Sequence, residues 1–401
     1  MSSDFNSSPF LWVTCQRGAE PALKKEMLRE HPEFRFAYSQ PGFLTFKKIE
    51  GIVPWDFVLR SVFARAYGVS LGALPKLSDL PLASDLEPAE PLAEWDFTPL
   101  QKWVGAFDGG EKQAGRLRIH LWEKELFAPS EAPLGFDPKP RLLKVLAQIQ
   151  RRHPELFLRY FGKSPDEFPL QEAAQANDVV VDMILLGSDQ LWWGTHLHSA
   201  SHSPWPGGNA PVSLPPESPS RAYLKCEETV DWAGNPLKSA DTALEIGSAP
   251  GGTSFALLKR GLRVIGIDPA QMDESVLQHP QFLHIQKPVA SVMRESLPES
   301  IQWIFLDMNV EPRITLFAVD RLASRMKDSL LGVFLTIKLN RWEIAEEIPA
   351  FMEHVRAMGM VRVKAAQLSH HRQEIAMVGF TRLGESRVLR GGMIRRRASR
   401  G

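Results

Sequence analysis

The sequence predicts an α/β protein: a C-terminal doubly wound sheet, mostly parallel with an antiparallel edge, preceded by two small α/β modules. Three observations carry this expectation. After residue 240, five short runs of mostly apolar and β-branched residues are separated mainly by helical stretches, the pattern of strands covered on both faces. Between 199 and 219 the chain holds Pro204, Pro206, Pro211, Pro215, Pro216 and Pro219. Proline fixes φ and removes a donor, so this segment is neither helix nor inner strand and divides the chain. Before it, strands and helices follow one another at the short spacing of small sandwiches. With 401 residues, 44% hydrophobic and 23% charged, the chain has the length of two or three globular domains and lacks the composition of disorder.

The elements follow in order. Residues 1–78, a ferredoxin-like first module, hold a strand at 10–14 and a helix at about 20–30 with Leu23, Met27 and Leu28 on one face. A strand at 43–46 and a helix at 55–67, with Val58, Val62 and Phe63 inward, complete it. Residues 79–198 form the second module. It opens in a Pro-rich, acidic stretch that includes Asp79, Asp85, Glu87, Glu90, Glu94 and Asp96. A strand at 117–122, a helix at about 140–152 and a hairpin of 179–186 with 191–195 around Gly187-Ser188-Asp189 follow. Residues 199–219 are the linker. In 220–385, strands are expected at 242–246, 263–267, 282–285, 303–306 and 333–337, with helices at 254–260, 313–329 and 343–358. Two late strands, 362–367 and 375–381, pair antiparallel at one edge. Such a sheet binds its ligand at the carboxyl ends of the strands. Residues 386–401 are a basic, solvated tail with six arginines: Arg387, Arg390, Arg395, Arg396, Arg397 and Arg400.

Charge and cysteine content bound the setting. The chain has 47 Lys+Arg against 47 Asp+Glu and a formal charge of zero, which excludes binding to a polyanion by bulk charge. The zero is an average: residues 1–220 hold 22 basic and 27 acidic side chains, and 221–401 hold 25 and 20. Two cysteines, Cys15 and Cys226, argue for a reducing compartment and against a disulfide scaffold, and both read as packing residues. Residues 1–9 lack a secretory pattern, and no apolar run reaches the ~20 residues of a membrane span. The expectation is a cytoplasmic monomer with no membrane partner.

The chemistry-bearing segments lie in 220–385. The first strand there runs into Gly247-Ser248-Ala249-Pro250-Gly251-Gly252 and then a helix. These glycines allow a tight turn and close approach of a ligand to backbone amides. The spacing Gly247-x-Ala249-x-x-Gly252 satisfies a relaxed dinucleotide fingerprint, shared by nicotinamide and S-adenosylmethionine enzymes. Asp268 closes the next strand, where a carboxylate can accept the ribose hydroxyls of an adenosine. Asp307 and Lys338 end the fourth and fifth strands and so share one rim. A lysine at the ligand end of a buried strand is expensive unless it is used. Lys225 lies upstream of the sheet and Glu374 before the last strand, and only the fold can bring them to that rim.

Together these segments, Ser-Arg-Ala-Tyr-Leu-Lys225-Cys-Glu-Glu, Ala-Pro-Gly-Gly, Asp307, Lys338 and Arg-Gln-Glu374, resemble the FtsJ-like ribose 2′-O-methyltransferases. The resemblance is strong over about 218–382. Within the family it is nearest to members that carry an N-terminal THUMP region and act on a cytidine of large-subunit (23S) rRNA. These share the proline-rich approach to the first lysine and a Gln-Leu-x-His-x-Arg-x-Glu ending like Gln367 to Glu374. Cys15-Gln16-Arg17-Gly18 looks like the ferredoxin-like start of THUMP-bearing enzymes, and the hairpin at 179–195 like the end of a THUMP fold.

The resemblance implies a Rossmann-like methyltransferase domain, S-adenosylmethionine as cofactor, RNA as substrate, no metal, and a catalytic tetrad of Lys225, Asp307, Lys338 and Glu374. It implies that Gly247 to Gly252, Asp268 and Asp307 bind the cofactor. Two positions depart from the family: Pro288 stands where an acid usually contacts the adenine, and Ala222 where a serine helps bind cofactor.

Under that reading Lys338 is the general base, with its pKa lowered by Lys225 and by burial. Asp307 positions it, and Lys225 and Glu374 orient the ribose. Amino-group methylation would need a polar-Pro-Pro-aromatic turn where Asp307-Met308-Asn309-Val310 stands, and pyrimidine C5 methylation a rim cysteine. A nicotinamide-dependent oxidoreductase, which leaves two rim lysines idle, and a non-catalytic RNA-binding protein remain as rivals. His196, His198 and His202 border the proline segment without a cysteine partner and read as surface histidines rather than metal ligands. The arginine tail reads as a further RNA contact.

Overall fold

The computed structural model describes residues 8–77, 92–108, 116–126, 137–326 and 328–389. The chain forms two compact units, Met1–Pro211 and Val212–Gly401. Among the described residues no helix is long and apolar enough to cross a membrane.

The first unit runs β1 (Phe10–Thr14), α1 (Glu20–Glu30), β2 (Phe34–Gln40), β3 (Phe43–Lys48), β4 (Ala66–Ala73), α2 (Thr98–Asp108), β5 (Leu117–Glu123), α3 (Lys139–Arg152), α4 (Pro154–Tyr160), β6 (Val179–Leu185) and β7 (Leu191–Leu197). Its strands form one sheet in the order β2-β3-β1-β4-β7-β6-β5. Neighbours are antiparallel except β5 and β6. Residues of both expected N-terminal modules therefore share a sheet, joined where β4 pairs with β7. Alternation along β6 sends Val179, Val181, Met183 and Leu185 into a core with Val145, Leu146 and Ile149 of α3.

One expected helix is absent. Residues 55–65 are irregular and β4 begins at Ala66. The cause is the buried Glu26 on α1, whose carboxylate accepts hydrogen bonds from the Val62 N–H (2.8 Å) and the Ser61 hydroxyl. Ser61 Oγ in turn accepts the N–H groups of Phe63 (3.1 Å) and Ala64 (2.9 Å). These donors would face the preceding turn in a helix, and here side chains satisfy them instead. A second correction concerns His196, His198 and His202. They are 5%, 6% and 8% exposed, so they are interior residues and not surface histidines.

The second unit runs α5 (Ala222–Trp232), β8 (Thr242–Ile246), α6 (Gly252–Lys259), β9 (Arg263–Ile267), α7 (Glu274–Leu277), β10 (Phe282–Ile285), β11 (Trp303–Leu306), α8 (Pro312–Ala323), β12 (Gly332–Lys338), α9 (Ile348–Ala357), β13 (Arg362–Ala366) and β14 (Glu374–Phe380). The sheet order is β10-β9-β8-β11-β12-β14-β13. Strands β8 to β12 are mutually parallel, and β14 runs antiparallel to both β12 and β13. This is the doubly wound sheet with an antiparallel edge that the sequence predicts. The winding reverses between β8 and β11, and a crevice opens above their carboxyl ends at such a switch point. Stacked Phe305 and Phe334, 4.6 Å between centroids, hold β11 to β12 from one face.

The expected arginine tail begins inside the fold. Residues 382–389 are helical, and the Arg387 guanidinium meets Asp241 at 2.6 Å, so this arginine is a packing cation and not a solvated one. The other five tail arginines, and Asp79, Asp85, Glu87 and Glu90 of the acidic stretch, lie outside the described residues.

Candidate active site

The glycine loop joins β8 to α6 at the switch point. Gly247 (φ +81°) and Gly251 (φ +123°) occupy the left-handed region that favours glycine. A Cβ on Gly247 would sit 2.6 Å from the Asp307 carbonyl oxygen, and one on Gly252 would sit 2.9 Å from the Ser220 carbonyl. The loop is therefore pressed against the chain that carries Asp307 on one side and against the approach to α5 on the other. Ser248 is buried and donates to the Met272 sulfur. Asp268, just past β9, accepts the Ala249 N–H (3.1 Å) on one carboxylate oxygen and the Ala270 N–H (2.8 Å) on the other. It thus ties the loop to the end of β9, and each oxygen keeps lone pairs for a ligand hydroxyl.

The expected tetrad comes together at the same rim. Lys225 reaches it from α5, Asp307 directly follows β11, and Lys338 and Glu374 stand opposite one another in the β12–β14 ladder. Asp307 bridges the lysines, with Oδ2 2.5 Å from Lys225 Nζ and Oδ1 2.6 Å from Lys338 Nζ. Glu374 closes the ring, 3.1 Å from Lys225 and 2.5 Å from Lys338. All four side chains are at most 17% exposed. Two cations and two anions in alternation leave this buried cluster without net charge.

The electrostatics correct one expectation. Burial alone would lower the pKa of Lys338, but Asp307 and Glu374 outweigh it and hold it above the ordinary lysine value. Burial likewise pushes Asp307 and Glu374 up, and Lys225 and Lys338 overcome it and keep both carboxyls below their usual range. In this arrangement Lys338 is an ammonium ion.

Two residues given no role by the sequence alone, Glu228 and Glu245, support the site. Glu228, one turn beyond Lys225 on α5, is 3% exposed. It accepts the N–H groups of Ser369 (2.9 Å) and His370 (2.8 Å) and the Ser369 hydroxyl. It therefore fastens the loop leading to Glu374 onto the helix that carries Lys225. Glu245, on β8, is fully buried beside the tetrad and hydrogen-bonded by the Ser254 hydroxyl. Burial, helped by the charges of Asp307 and Asp268 and opposed by that hydrogen bond, pushes its pKa up to about 8. The pairing Glu-x-Gly at a strand end was the available signal for Glu245. Cys15 and Cys226 are both buried with thiols pushed up by burial, the expected packing residues.

The crowding at Gly252 yields a direct expectation. Gly252→Ala forces the start of α6 away from Ser220 and Tyr223, and S-adenosylmethionine affinity measured by calorimetry should fall at least tenfold. Unchanged affinity would show that this turn is not the binding cradle.

No protein-family model matches the chain. The curated protein "Ribosomal RNA large subunit methyltransferase M" of Sodalis glossinidius is 29% identical over 187 residues, covering 44% of this chain and 50% of that one. Its namesake in Xylella fastidiosa (strain 9a5c) is 30% identical over 213 residues, covering 49% and 54%. That of Tolumonas auensis is 26% identical over 305 residues, covering 67% and 82%. The first two alignments thus span about half the length of the curated relatives. Among solved structures, the magnesium protoporphyrin IX methyltransferase of Synechocystis is 14% identical over 40% of this chain and 80% of that one, with a TM-score of 0.30. No weight rests on that likeness. By sequence, the chain is a homologue of the bacterial proteins named ribosomal RNA large subunit methyltransferase M.

Proposed function

We propose that the chain transfers a methyl group from S-adenosylmethionine to a ribose 2′-hydroxyl of RNA, on a cytidine of large-subunit rRNA. The observation that supports this best is the closed Lys225–Asp307–Lys338–Glu374 ring beside the glycine turn. The RNA class comes from the names of the relatives. Residues 220–385 would be the catalytic domain, with 1–78 and 79–198 as RNA-reading modules joined to it by 199–219.

The residues present fit the cofactor. The turn from Gly247 to Gly252 leaves room where a Cβ would collide with backbone, and Asp268 and Asp307 flank it with carboxylates. S-adenosylmethionine, when bound, supplies an electrophilic methyl group on a sulfonium cation. A ribose hydroxyl is a weak nucleophile near neutral pH, so the chain must remove its proton, and Lys338 is the residue assigned that role here. Lys338 must first lose its own proton, which Asp307 and Glu374 now hold in place. A positive charge held beside Asp307 would weaken that carboxylate's grip on Lys338, whose proton would pass to solvent at the rim before the amine takes the hydroxyl proton. Lys225 then repels a proton on Lys338, and Glu374 accepts hydrogen bonds from whatever occupies the rim. The neutral Glu245 below keeps a further negative charge out of the cluster.

The test incubates the chain with large-subunit rRNA lacking ribose methylation and isotopically labelled S-adenosylmethionine, then maps label by mass spectrometry. One 2′-O-methylcytidine is expected. Label on a base, or none on RNA, would overturn the ribose reading.

A further inference from the structure

We propose that His196, His198 and His202 form a binding site for one divalent transition-metal ion, of the zinc class, in the first unit. The sequence presents them as His-x-His-x-x-x-His, His196 near the end of β7, His198 directly after it and His202 in the loop that follows. One ring nitrogen from each lies within 4.8 Å of those of the other two. Nitrogens that share a tetrahedral zinc ion at ~2.0–2.1 Å stand roughly 3.4 Å apart, so closing the set requires the stacked His196 and His202 rings, 4.3 Å between centroids, to tilt toward a common point.

Three further observations point to a ligand. First, His196 Nε2, His198 Nδ1 and His202 Nε2 are buried and have no hydrogen-bond partner. Buried polar atoms in native proteins are normally paired, and three in one place call for a common partner. Second, the other nitrogen of His196 is held as a metal ligand requires. His196 Nδ1 lies 2.9 Å from the Asp182 carboxylate, which fixes the proton on Nδ1 and leaves the Nε2 lone pair free. His202 Nδ1 accepts the Ser199 N–H at 3.3 Å and lies 3.1 Å from Ser199 Oγ, so His202 ligates through Nε2 only once its ring proton has left that nitrogen. Third, Asp182 is 2% exposed, and its neighbours on the sheet are Trp122, whose Nε1 donates at 3.3 Å, and His120, 3.9 Å away. No Lys or Arg is paired with it among the described contacts, so a divalent ion two bonds beyond His196 would offset the buried charge.

The ion's part is structural. It would clamp the 198–202 loop onto β7, with a water or one more donor completing four-coordination. The experiment uses the full chain purified without a polyhistidine tag. Elemental analysis should find about one zinc per chain. After chelation, Co²⁺ should add back one equivalent with the visible absorption of a tetrahedral site, and Zn²⁺ should raise the thermal midpoint by several degrees. Asp182→Asn should weaken Co²⁺ binding 10–100-fold, and His196→Ala with His202→Ala should abolish it. Retention of metal by that double variant, or no Co²⁺ absorption and no thermal shift in the wild-type chain, overturns the site. The wild-type measurements decide the matter even if the variants fail to fold.

Discussion

Replacing Lys338 with alanine is expected to reduce methyl transfer by ~10²–10⁴-fold, the range of a positioned general base, while S-adenosylmethionine binding stays within about threefold. Lys338 ends β12 opposite Glu374, and its ammonium is held by both carboxylates of the ring. Alanine removes the proposed base without touching the glycine turn. The test is single-turnover kinetics at saturating RNA and cofactor beside calorimetry of cofactor binding. Near-wild-type turnover would reassign the base.

A companion variant separates a base from a mere electrostatic anchor. Glu374→Gln removes one of the two charges that raise the Lys338 pKa, so the rising limb of the pH–rate profile should move to lower pH. If Lys338 acted only by its positive charge, that limb would not follow Glu374.

Much of this site was legible because strand ends are strong signals in a doubly wound sheet. Asp307 and Lys338 could be placed on one rim from the apolar runs that precede them, with no tertiary information. Lys225 and Glu374 could not, since α5 and the antiparallel return of β14 are decided by packing; only the resemblance brought them in. The sign of the Lys338 shift was missed for a related reason. Burial at a strand end is visible in sequence and the resemblance supplied a like-charged neighbour, but a second carboxylate within 2.5 Å is a product of register. In the first unit the helix expected at 55–67 failed because local periodicity carries no information about Glu26, some thirty residues away. The histidines were misplaced because a bordering proline segment suggested surface, whereas the sheet buries them beside Asp182.

Asp307→Asn should be the most damaging single change at the rim, losing at least as much activity as Lys338→Ala and also costing stability. Asp307 is the residue both lysines share, and without its charge two ammonium groups of low exposure are left with Glu374 alone. Removing one partner of a buried ion pair costs about 3–5 kcal/mol. The pH dependence identifies the cause. In the wild-type chain the depressed Asp307 pKa contributes stability that is present above its unfolded value of ~3.9 and lost as pH falls through the lower folded value. The raised Lys338 pKa contributes stability that is present below the unfolded value of ~10.4 and lost as pH rises through the higher folded value. The variant forfeits the first and Asp307's share of the second, so its deficit should be largest between about pH 4 and pH 10 and should shrink at either extreme. Urea unfolding of wild type and variant across that range measures it. A deficit that stays constant with pH would assign the loss to packing and remove the charge argument for the ring.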